Sequence, residues 1–117
     1  SPVGDPAPLS IRQPKGVPLE LILVFRDQLN VAVDMTDAAP QLCLLARSSD
    51  AVAKYDVDVF DTTNGRGIVE IPGSDIMDPR GYTIELYSRS GGEPTGLLAA
   101  GALVTMPGSA YGQSARP

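Results

Sequence analysis

Apolar and polar residues alternate along most of the chain, and no long stretch carries the three-to-four spacing of a helix. Leu19–Arg26 (LELILVFR) sets Leu19, Leu21, Leu23 and Phe25 on one face and Ile22 and Val24 on the other. A strand apolar on both faces is either central in a core or half inside an interface. Asp27–Asn30 reads as a turn, Val31–Val33 as a short extended segment and Asp34–Pro40 as a polar link. Gln41–Arg47 (QLCLLAR) is the second clear strand, followed by a Ser48–Asp50 loop. From Ala53 to Asp61, Tyr55, Val57 and Val59 alternate with Asp56 and Asp58, the period of a half-exposed strand. Asn64-Gly65 signals a hairpin because both residues tolerate positive φ, and Gly67–Pro72 returns from it.

Ser74–Asp78 predicts one helical turn, with Ser74 as N-cap and Pro79 blocking extension. Gly81–Arg89 (GYTIELYSR) places Tyr82, Ile84 and Leu86 opposite Thr83, Glu85 and Tyr87. After a Ser90–Pro94 turn, Thr95–Met106 is the last strand, and Gly101 within it marks a bulge or a close backbone contact. Leu and Ala favour helix over residues 97–104, but the neighbouring glycines and Val104-Thr105 weigh against it. Six to seven strands separated by frequent turn signals predict an all-β fold, a small antiparallel β-sandwich spanning residues 19–106.

The ends differ from this body. Five of the eleven prolines, Pro2, Pro6, Pro8, Pro14 and Pro18, fall in residues 1–18 and predict an extended arm. Residues 107–117 (PGSAYGQSARP) are small, polar and aperiodic and read as a tail. Ordering such segments costs about 1–2 kcal/mol per residue, which contacts must offset. Both ends are therefore expected to lie on neighbouring subunits or on the body itself. Leu9, Ile11, Val17 and Tyr111 are the expected anchors, and Ile22 and Val24 add the second apolar face of the first body strand as an assembly contact.

Composition narrows the chemistry. The 117 residues include no His, so a Ser-His-Asp triad and imidazole metal ligands are excluded. One Cys makes neither an internal disulfide nor a multi-thiolate zinc site. A net charge of −5 argues against nucleic acid and anionic membranes as partners. No apolar run reaches the roughly 18 residues of a membrane span, and no charged n-region with an apolar h-region opens the chain, which predicts no signal peptide. Asp56, Asp58 and Asp61 are the densest acidic group. On one strand face Asp56 and Asp58 point the same way, as a cation site requires, yet the spacing lacks a calcium-loop pattern and fits a solvated sheet face. Cys43, between Leu42 and Leu44, reads as a buried small residue. Gly65-Arg66-Gly67 and Gly91-Gly92 read as turns. Tyr55, Tyr82 and Tyr87 line either a ligand groove or the core and its rim. No cofactor, metal or catalytic residue is expected.

Taken in order, Val31–Ala38 (VAVDMTDA), Asp61–Gly65, Ile68–Pro72, Asp75-Ile76-Met77, Gly81–Leu86 and Leu97–Val104 (LLAAGALV) resemble the small immunoglobulin-like modules of tailed-bacteriophage virions. The N-terminal domain of phage baseplate upper proteins is an example. In that family a valine–aspartate–leucine–threonine step follows the first hairpin, and here Met35 replaces the leucine and Asp37 stands where glycine is common. The resemblance covers about residues 17–106 and implies an immunoglobulin-like sandwich in a virion structural protein without catalysis. The expected role is an assembly or adaptor component of the tail, neck or baseplate, located in the virion as a symmetric homo-oligomer alongside other virion proteins. A capsid cement or decoration protein is the alternative within that class. A ligand- or glycan-binding adhesion module, lined by the tyrosines, is the alternative outside it.

Overall fold

The alternating segments pair into two sheets around one core. The computed structural model describes residues 7–46 and 50–106. Among them, β1 (Ala7–Pro14), β3 (Gln41–Leu45), β4 (Ala51–Asp56), β7 (Tyr82–Ser90) and β8 (Glu93–Met106) form a five-stranded sheet in the order β1-β8-β7-β3-β4. The strands β2 (Leu19–Val24), β5 (Asp58–Asp61) and β6 (Arg66–Ile71) form a second sheet in the order β2-β6-β5. All pairings are antiparallel except β1 with β8. The core lies between the sheets, with Leu42, Leu44, Ile84, Leu86 and Leu103 from one and Leu19, Val69 and Ile71 from the other. The fold is all-β, as the alternation predicts.

Two differences from the expected pattern matter. Of the segment expected as an extended arm, residues 7–14 are a strand and lie on the body as a parallel partner of residues 99–106. Among the described residues β1 is an eighth strand, added to seven within residues 19–106. Gly101 makes this pairing close: a Cβ there would sit 1.8 Å from the Leu9 carbonyl oxygen. The glycine therefore marks a backbone contact rather than a bulge.

The second difference is at Val57. The expected strand from Ala53 to Asp61 is two strands in different sheets. β4 pairs with β3, β5 pairs with β6, and Val57 between them is buried and donates its N–H to the Pro40 carbonyl at 3.0 Å. Tyr55, Val57 and Val59 all reach the one core, because the inner faces of both sheets look into it. The alternation thus continues across a change of sheet. A smaller correction falls on the helical turn. The 3-10 turn is Gly73–Asp75, Pro72 precedes it, and no side chain caps it, so Ser74 is not the N-cap.

The junction before β7 is clamped. The buried Tyr82 accepts the Asp78 N–H on its phenol oxygen at 2.9 Å, and the Thr105 hydroxyl donates to the Asp78 carbonyl at 2.6 Å. Both backbone groups of one loop residue are thereby satisfied by neighbouring strands.

Candidate docking surface

The outer face of the three-stranded sheet carries the feature that the alternation leaves unexplained. In β2 the inward residues Leu19, Leu21 and Leu23 pack on the core, so Glu20, Ile22 and Val24 point outward. The register sets Ile22 beside Ile68 and Val24 beside Arg66, and Asp58 on β5 completes the Ile68 row. Ile22 is 67% exposed and Val24 50%. Phe60 joins them at 58%, because a bulge between Val59 and Asp61 leaves it without a partner on β6. The patch is therefore Ile22, Val24, Phe60 and the half-buried Ile68.

Its rim is mostly acidic. Glu20 lies directly opposite Glu70, a cross-strand like-charge pair that weakens the isolated sheet. Asp61 sits at the other end beside Arg66, its carboxyl held below the usual carboxylate range by hydrogen bonds from the Asn64 side chain and N–H.

The other expected contacts are distributed differently. Leu9 and Ile11 project from β1 onto the core of their own chain, half-buried. Val17 is half-buried in the turn after β1 and donates its N–H to the Pro14 carbonyl. Tyr111 lies outside the described residues, as does the rest of 107–117. Of the expected anchors, Ile22 and Val24 share the exposed face. Phe60 and Ile68 were absent from that expectation; the signal for Phe60 was an apolar residue out of phase with Tyr55, Val57 and Val59.

The acidic group does not form one face. Asp56 points out of the five-stranded sheet, where it accepts the Gln41 amide N–H at 2.9 Å and an Arg89 N–H at 3.1 Å. Asp58 points out of the opposite sheet, because the chain changes sheets between them. Among the described residues no group of three or more His, Cys, Asp or Glu side chains is placed to hold a metal ion.

The tyrosines also separate. Tyr82 is buried in the core. Tyr55 packs on the core, and its hydroxyl donates to the Asp75 carboxylate at 2.5 Å, bridging β4 to the 3-10 turn. Burial, together with that bond, pushes the Tyr55 phenol well above its usual range. Tyr87 points outward and donates to the Gln41 side-chain oxygen. It borders a shallow depression with Cys43, Lys54, Glu85 and residues 94–97. Burial pushes the Cys43 thiol up, Lys54 offsets this only in part and Glu85 adds to it, which disfavours the thiolate. No family model matches the chain, and no curated protein is significantly similar to it.

Proposed function

We propose that the chain is a structural component of a bacteriophage virion, an assembly or adaptor module of the tail, neck or baseplate, with no catalytic role. The observation that carries the assembly half of this reading is the grouping of the exposed Ile22, Val24 and Phe60 on one sheet face. Contiguous exposed apolar residues rimmed by charge mark sites of protein contact. The virion half rests on the resemblance of Val31–Ala38, Gly81–Leu86 and Leu97–Val104 to phage immunoglobulin-like modules.

Three features support the immunoglobulin-like part of that resemblance. The strand order sets five strands against three, with the first strand parallel to the last. The chain crosses between sheets from β4 to β5. Tyr82, near the start of β7, bonds back to the backbone of Asp78, as in the tyrosine corner of immunoglobulin-like domains.

The test is quantitative mass spectrometry and electron microscopy of purified particles from the source of this chain. Copy numbers in multiples of three, six or twelve on the tail axis are expected. Hundreds of copies on the shell would make it a capsid decoration protein instead. Absence from particles overturns the reading.

A further inference from the structure

Four strands lie at sheet edges among the described residues: β1 and β4 in one sheet, β2 and β5 in the other. An edge presents unpaired backbone groups and invites pairing unless proline, charge, brevity or a bulge blocks it. β1 carries Pro8, Arg12 and Pro14, and β4 carries Lys54 and Asp56. β5 has only four residues, two of them Asp, and a bulge. β2 (LELILV) has none of these devices except Glu20.

The open side of β2 is defined by its register. Phe25 donates its N–H to Gly65 and accepts the Val33 N–H, so both of its groups face the β6 side. Alternation then directs the backbone groups of Leu19, Leu21 and Leu23 toward β6 and those of Glu20, Ile22, Val24 and Arg26 away from the sheet.

We propose that β2 pairs antiparallel with β2 of a second copy of this chain across a two-fold axis, joining two three-stranded sheets into one. The register follows from charge. Centring the axis on Leu23 sets Ile22 against Val24 of the second copy and Glu20 against its Arg26, with every outward backbone group facing another. Shifting by one pair sets Glu20 against Val24 in one sense and against Gln28 in the other, and either leaves the charge unmatched. The chosen register also brings a guanidinium into the Glu20–Glu70 row, relieving the like-charge pair of the single chain. Arg26 is exposed and donates to the Asn30 carbonyl at 3.1 Å, which leaves its other donors free to reach across. The two copies of Ile22 and Val24 then form one apolar stripe. This pairing goes beyond the virion role and does not depend on it: either can fail alone.

Sedimentation equilibrium of the full chain from about 1 to 500 μM is expected to show reversible dimerisation. Glu20→Arg alone and Arg26→Glu alone should each weaken the dimer about tenfold or more, because two symmetry-related pairs turn repulsive. The double reversal should restore it. Circular dichroism and thermal melting confirm that each variant stays folded, and Ile22→Pro is a second probe, since its lost N–H faces the open edge. A chain monomeric throughout overturns the proposal, as does a dimer indifferent to both reversals. A dimer that forms only after residues 1–6 are removed assigns the edge to that segment and also overturns it.

Discussion

The outer faces of the two sheets solve the same problem in opposite ways. On the five-stranded sheet, polar side chains tie strand to strand: Tyr87 donates to Gln41, Gln41 to Asp56, and Arg89 to both Asp56 and the Ala39 carbonyl. Its described edges carry proline or charge. On the three-stranded sheet the corresponding positions are Ile22, Val24, Ile68 and Phe60, and the cross-strand pair Glu20–Glu70 is repulsive. The larger face also exposes Val52, Leu97 and Val104, but apart from one another among these polar ties, whereas on the smaller face the apolar residues sit together. Apolar outward residues on a sheet of only three strands add nothing to the core, and their grouping on one face is what the proposed pairing uses.

Breaking the inner side of the larger sheet gives the largest effect. Ile84 is fully buried at the centre of the core, and Ile84→Ala should cost about 2–5 kcal/mol in denaturant unfolding. A cost near zero would mean that the two sheets are not packed on one another as described.

Gly101→Ala tests how β1 belongs to that sheet. The added methyl meets the Leu9 carbonyl, so either β1 shifts off β8 or the strain is retained, at about 1–3 kcal/mol. Hydrogen exchange should show amides of residues 7–14 losing protection while β7 and β3 keep theirs. Unchanged protection in β1 would mean that the close contact is absent in solution.

Tyr55 sharpens the comparison by linking the edge strand β4 to the turn beside the smaller sheet. Tyr55→Phe removes the hydroxyl bond to Asp75 and should cost about 1 kcal/mol at neutral pH. The folded phenol holds its proton above the ordinary value of 10.0. Above that pH the unfolded chain releases a proton that the folded chain keeps. The unfolded state then binds fewer protons, and this contribution to stability falls as pH rises. The advantage of Tyr55 over Phe should therefore be fully present below about pH 10 and shrink above it. An advantage that grows above pH 10 would contradict the direction of the shift.

Much of the fold was legible because inward residues repeat at period two: Leu19, Leu21 and Leu23, then Tyr82, Ile84 and Leu86, occupy the faces that the alternation assigns. Gly101 was legible as either a bulge or a close approach, and only the Leu9 carbonyl beside it decides for the second. The change of sheet at Val57 was not, since residues facing a common core keep the same phase on either side of the crossing. That one crossing separates Asp56 from Asp58. The parallel docking of β1 was hidden because proline predicts extension without saying what the extended segment lies on. Ile22 and Val24 stood out as a second apolar face, but Phe60 depends on a bulge, and a bulge has no period.

The smallest effect is the most informative about the smaller face. Ile22→Thr keeps a β-branched residue, and therefore strand propensity, while replacing an exposed ethyl group with a hydroxyl. Measured at low micromolar concentration, where the single chain is the reference, unfolding free energy should move by no more than about 0.5 kcal/mol. Ile84 and Ile22 are the same residue in antiparallel sandwich strands, one inward and one outward. If their substitutions differ as stated, the apolar surface of Ile22 contributes to something other than the fold of its own chain. A loss of 2 kcal/mol or more from Ile22→Thr would place that side chain in an intramolecular contact and remove the distinction between the two faces.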